Sequence, residues 1–189
     1  MYTNPSNIIK TIIKLLNRNA DIINRVIQEY EDGSVLNVFE GMRKSLPTSA
    51  FPSLEIEPTS NSTEWYSVRT QKARYGFQFT LTVSNDNEDY GVEYPASIAT
   101  ILTEILNNPG NLQLQIENEK KWDVNDGLVD SYIMNSMCEN VTMNASKDGS
   151  IRIVQFDWFA EVMEPFADSA WKYGNYAQPT PVRQNIQVP

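Results

Sequence analysis

The chain contains no histidine. That removes the side chain most used for proton transfer near neutral pH, every nucleophile that depends on an imidazole base, and every metal site built on imidazole. Cys138 is the lone cysteine. It has no second thiol for an intrachain disulfide and no histidine to activate it, so it reads as a small buried or incidental thiol. Glu55 and Glu57 fall on one face of the short strand signal Phe51-Pro52-Ser53-Leu54-Glu55-Ile56-Glu57. Two carboxylates so placed can divide acid and base roles, but exposed strand charges that oppose edge aggregation are the commoner use of the pattern and the reading favoured here.

The acidic loop Asn85-Asp86-Asn87-Glu88-Asp89 invites a calcium reading. With Asp86 as the first ligand, Tyr90 takes the fifth position and Ser97 the twelfth, where an EF-hand loop needs an oxygen ligand and a bidentate Glu. The match fails, and the loop reads as solvated. The eight glycines form no phosphate cradle. Asn61-Ser62-Thr63, Asn140-Val141-Thr142 and Asn144-Ala145-Ser146 fit the glycosylation triplet as chance matches in an Asn-rich chain. No motif performs chemistry, so the chain reads as a non-enzyme that needs no cofactor and no metal.

One segment stands apart. Trp65, Tyr66, Arg69, Lys72, Arg74 and Tyr75 interleave aromatic and basic side chains. Three readings are open: a nucleic-acid stacking strip, an interface strip meeting acidic surface on an identical neighbour, and an ordinary edge strand. With 15 Lys and Arg against 24 Asp and Glu, a net charge of −9, phosphate would be repelled, and the interface reading is favoured over nucleic-acid binding.

The elements that must position this strip follow from periodicity. Phe77-Gln78-Phe79-Thr80-Leu81-Thr82-Val83 alternates without error and is a strand with one buried face. Residues 65 to 75 extend it. From Pro5 to Tyr30, the residues Ile8, Ile12, Leu15, Leu16, Ile22, Ile23, Val26 and Ile27 recur at helical spacing, predicting a core helix that ends near Gly33. Residues 36 to 50 read as a short helix or irregular link, Leu54 to Ile56 as a strand stopped by Pro58, and Ser60 to Thr63 as a loop. Tyr94-Pro95 opens a helix that Asn107-Asn108-Pro109-Gly110 closes. Leu112, Leu114 and Ile116 alternate, Asn125-Asp126-Gly127 is a turn, and 128 to 143 is strand-like. Lys147-Asp148-Gly149 reads as a hairpin turn into a long arm with Val154, Phe156, Trp158, Ala160 and Val162 on one face and Gln155, Asp157 and Glu161 on the other.

A chain of 189 residues with 41% hydrophobic and 11% aromatic content is expected to fold as one domain with tails rather than remain disordered. No apolar run reaches the about 18 to 20 residues a membrane span needs. The start Met1-Tyr2-Thr3-Asn4-Pro5 lacks the blocks of a signal peptide, which points to synthesis in a cytosol.

The order of these elements is helix, Phe-Pro strand, long alternating strand, second helix, then a hairpin whose last strand is the longest. It resembles the tail terminator (tail completion) proteins of long-tailed phages, on Phe51-Pro52-Ser53-Leu54-Glu55-Ile56, Tyr75 to Val83, Pro95 to Asn107 and Ile151 to Pro165. The resemblance implies an α+β subunit, a mixed or antiparallel sheet packed against two main helices, forming a ring. It places a terminator-like domain at 1–165 and an extended Pro-rich C-terminal arm at 166–189, with the arm and the stretch Glu117 to Asp130 unmatched. It further implies a hexameric ring that caps the head-proximal end of the tail tube, stops its growth and joins the tail to the head. Expected partners are copies of the same chain, the tail tube protein, the head-tail connector protein and, where a tail has one, the sheath protein. DNA would pass the channel without specific binding, and the protein would sit in the virion neck after assembly in the host cytoplasm. Expected contact residues are Trp65, Tyr66, Arg69 and Arg74, with Trp171, Tyr173 and Tyr176 of the arm engaging a neighbour or the connector. The alternative is a neck adaptor on the portal side.

Overall fold

Phe77, Phe79, Leu81 and Val83 are all fully buried, as their alternation requires, and the strand that carries them is central to one sheet. The computed structural model describes residues 4–43, 45–65, 70–84, 91–108, 115–116, 131–146 and 150–165. Among these residues, three α-helices, α1 (Pro5–Arg18), α2 (Ala20–Gln28) and α3 (Glu93–Asn107), and a 3-10 turn at Thr48–Ala50 accompany six strands. These are β1 (Asn37–Glu40), β2 (Ser53–Trp65), β3 (Thr70–Ser84), β4 (Gln115–Ile116), β5 (Ser131–Ala145) and β6 (Ile151–Pro165). Their order is β1-β2-β3-β6-β5-β4. Only the β1–β2 pair is parallel, so the sheet is mixed and the fold is α+β.

The core lies on one face of this sheet. β3 and β6 pair in unbroken register from Thr70↔Pro165 to Ser84↔Ile151, which sets Leu81 beside Val154, Phe79 beside Phe156 and Phe77 beside Trp158. Such cross-strand apolar pairs are the unit of sheet stabilisation. The Phe79 and Phe156 rings stack at 4.9 Å, and Trp158 meets Phe79 edge-on at 6.1 Å. Ile8, Ile12, Leu16, Ile27, Ile98 and Leu102 cover that layer from the helices, all essentially inaccessible to water.

The single opening helix expected from Pro5 to Tyr30 is two helices. Asn19 breaks it: its side-chain amide donates to the Leu15 carbonyl (2.9 Å) and its N–H to the Leu16 carbonyl (3.0 Å). Its own carbonyl then accepts from Ile22 and Ile23, both at 3.1 Å, opening α2. One asparagine thus closes one helix and starts the next. The apolar stripe changes phase there, leaving Ile22 47% exposed while Ile23 and Ile27 stay buried. Asn4 caps α1 by accepting from the Ser6 N–H at 3.0 Å, with Pro5 in the first turn.

Three further expectations are corrected. Residues 37–40 form β1, held parallel to β2 by Asn37 N–H to Pro52 O (3.0 Å) and, just past the strand, Gly41 N–H to Ile56 O (2.8 Å). Gly41 has φ +76°, a conformation open to glycine and costly for other residues, and it ends the strand. β2 does not stop at Pro58. The register shifts between Pro58 and Ser60, and a bulge on an outer strand tolerates a residue without an N–H. Ser60 to Thr63, polar enough for a loop, are strand because β3 supplies a complete ladder opposite them, from Gly76 to Ala73. The arm at 166–189, the turns at 125–127 and 147–149, and the acidic loop at 85–89 lie outside the described residues.

Candidate subunit interface

Side chains on the other face of the sheet are mostly polar, with Phe159, Ile153 and Met137 among them, and Ser53, Glu55, Thr80 and Thr82 at its β1 end are buried. Its centre is Arg74 on β3. The Arg74 guanidinium lies over the Phe159 ring of β6, 3.7 Å from the centroid, and its Nη2 is 3.8 Å from Glu139 Oε1 of β5. Next to it, Lys72 Nζ pairs with Glu161 Oε1 at 2.8 Å, and the Asn135 amide donates to Glu161 Oε2 at 3.2 Å. The Lys72 hydrogen bond, helped by that of Asn135, holds the Glu161 carboxyl below its ordinary range. On the same face the Asn140 amide donates to Asp157 Oδ2 at 3.2 Å. Asn140 has φ +52° and belongs to the β5 bulge between Glu139 and Thr142. These bonds tie three strands laterally by charge.

Gly76 is the low point of this face. A Cβ there would collide with Ser60 Oγ and stand 3.0 Å from Thr59 Oγ1, so the β2 bulge folds its hydroxyls over the glycine. The result is an open concavity of about 400 Å³ lined by Thr59, Ser60, Arg74, Glu139, Asp157 and Phe159. Acid, base and hydroxyl groups line it, but each charged member already has a charged, amide or aromatic partner.

The carboxylate pair separates. Glu55 is buried and accepts the Arg43 N–H, whereas Glu57 is exposed, which corrects the reading of both as exposed edge charges. The chain after β1 folds over Glu55. Cys138 is half-buried, packs against the core, and burial pushes its thiol up to about 12, so it is protonated at neutral pH. Its N–H donates to Asn107 Oδ1 (3.0 Å) and Ser136 Oγ to Leu106 O (3.0 Å), pinning β5 to the end of α3. Among the described residues no group of three His, Cys, Asp or Glu side chains could hold a metal, and no helix is long and apolar enough to cross a membrane.

Of the expected contact residues, Arg74 is at the centre of the polar face and Trp65 ends β2. Tyr66, Arg69, Trp171, Tyr173 and Tyr176 lie outside the described residues. Sequence reasoning missed Phe159 as the partner of Arg74. The available signal was an aromatic standing in the polar row of the Gln155, Asp157, Glu161 alternation.

The edges of the sheet complete the geometry. β1 covers β2 only from Ser53 to Ile56, and β4 covers β5 only at Ser131 and Tyr132. Among the described residues, no strand pairs with Glu57 to Trp65 on one side or with Ile133 to Ala145 on the other, where the Cys138 N–H is taken by Asn107 Oδ1.

No protein-family model matches the chain, and no curated protein matches it by sequence. Solved structures do match the chain. One, described as "Virion of native gene transfer agent (GTA) particle", shares 8% identity over 80% of this chain and 91% of its own, with a TM-score of 0.48. A second shares 13% identity over 85% of this chain and 96% of its own, with a TM-score of 0.45.

Proposed function

We propose that this chain is a structural virion protein that acts by self-association: a tail terminator whose hexameric ring caps the head-proximal end of a phage tail tube, stops its growth and presents a surface to the head connector. The observation that carries the reading is a sheet whose helices cover one face and whose two outer stretches, on opposite sides, have no strand partner among the described residues. A monomer with two such edges is poised for association, and unlike edges on one subunit generate head-to-tail contacts that can close as a ring. The order of elements supports the same reading: helical opening, Phe-Pro strand, long alternating strand, α3, and a hairpin ending in the long β6. The net charge of −9 suits a collar around a duplex that must slide without sticking.

Arg74 and Trp65 are assigned to subunit contacts, with Trp171, Tyr173 and Tyr176 as arm contacts to a neighbour or the connector. Sedimentation and negative-stain microscopy of the purified protein, alone and mixed with tail tubes, test the proposal. A six-fold annulus at one tube end is expected. Monomer under both conditions overturns it, and capture by portal protein instead of tube protein reassigns the chain to a neck adaptor.

A further inference from the structure

The two open edges correspond in a way that a generic surface would not. Following the register across the sheet, Ser60 lies on one rung with Gly76, Phe159 and Met137, and Ser62 on one rung with Arg74, Glu161 and Asn135. Thr63 shares its rung with Ala73, Val162 and Ile133. The open stretch of β2 and the open stretch of β5 thus stand at the same height on opposite sides of the subunit. Each contains an uncharged window, Thr59-Ser60-Asn61-Ser62-Thr63 between Glu57 and Glu64 on one side, and Ile133-Met134-Asn135-Ser136-Met137, with Met134 in the bulge, on the other, ending before Cys138, whose N–H is taken by Asn107, and Glu139. Exposed edges in monomers usually carry lysine or other charge against pairing. Here a chain of net charge −9 leaves neutral two windows level with each other, and Met134 and Met137 are half-exposed on one of them.

Strand direction points the same way. From β2 through β3 and β6 to β5 every pair is antiparallel, so β5 runs opposite to β2. A copy placed beside β5 in the same orientation would present its β2 antiparallel to that strand. We infer that β5 of one subunit pairs with the Thr59–Thr63 stretch of β2 of the next copy, continuing the sheet from subunit to subunit. The partner is a second copy of this chain, and the contact is strand addition, in which main-chain hydrogen bonds supply the affinity and neutral side chains avoid repulsion between acidic subunits. The inference rests on the ring reading and specifies how the ring is joined.

The test uses the full-length chain in a Cys138→Ser background, with Ser62→Cys, Asn135→Cys or both, and a short bis-maleimide. These two positions are expected to face each other across the joint on the same side of the sheet. The double variant should give a ladder of covalent multimers ending at the ring, and each single variant none. A dimer from either single variant overturns the inference, because it means like edges meet. A double variant that sediments as the ring yet does not cross-link overturns the edge pairing and leaves the ring intact, whereas a chain monomeric throughout overturns both. Charge gives a second readout that does not depend on cross-linking. Ser62→Lys and Asn135→Lys should each remove the ring peak in sedimentation, and Ser62→Lys combined with Asn135→Glu should restore it. Failure of both single substitutions to disperse the ring also overturns the inference.

Discussion

Arg74 and Phe159 are diagonal neighbours on β3 and β6, and the guanidinium carbon stands 3.7 Å from the ring centroid. The ring is the one aromatic in the polar row of β6, and the cation makes its exposure tolerable by covering it. Arg74→Ala removes this contact and the long pair with Glu139. Both are half-exposed, so the folding cost is expected to be small, about 1 kcal/mol in urea unfolding. Under the proposed assembly the ring population should fall more than that stability loss accounts for, as read by sedimentation.

Phe79 sits between Phe156 and Trp158 with no exposure. Phe79→Ala is expected to cost about 3 to 5 kcal/mol, transfer and cavity together. That is a large share of the roughly 5 to 15 kcal/mol that holds a domain folded, so the variant should unfold at much lower denaturant. Phe79→Leu retains more of the volume and should lose less, and chemical unfolding of the two variants side by side checks the order.

Gly76→Ala drives a methyl group against Ser60 Oγ and Thr59 Oγ1. The expected loss is about 1 to 3 kcal/mol from overpacking at the bulge. Because the nearest atom is a hydroxyl, Ser60→Ala in the same chain should recover part of the loss. A double-mutant cycle in urea measures this as a coupling that independent sites would not show.

Glu161 has a depressed carboxyl pKa owing to Lys72 and Asn135. A carboxyl lowered in the folded state adds stability that is present above its ordinary value near 4.5 and is lost as the pH falls through the lowered folded value. Glu161→Gln should therefore be less stable than the parent at neutral pH and nearly equal to it in strong acid. Urea midpoints at the two ends of that range test the sign, and a gap that widened in acid would contradict the assignment.

Much of the layout is a local property and was legible in the chain. Alternation from Phe77 to Val83 and from Val154 to Val162 reports which side chains share a face, since the strand period is two whatever the neighbours are. The helix at 93–107 announced itself by Pro95 and the Ile98, Leu102, Ile105 stripe. The break at Asn19 was not legible, because it depends on one side chain choosing a backbone carbonyl over solvent. Nor was the strand through Pro58 and Ser60 to Thr63, whose polar composition is that of a loop until β3 offers a ladder.

The sequence by itself determined the absence of imidazole chemistry, the acidic surface, the lone thiol and the two-sided character of the long strands, because composition and short-range period require no partner. Tertiary structure alone decided which strands are central and which are edges, that Arg74 meets Phe159 and Glu139, that Glu55 is buried while Glu57 is not, and that Ser60–Thr63 and Ile133–Met137 share rungs. Each of these joins residues many positions apart in the chain. Register between distant strands is set by how the whole apolar face packs, and a one-residue slip would turn every one of those side chains to the other side.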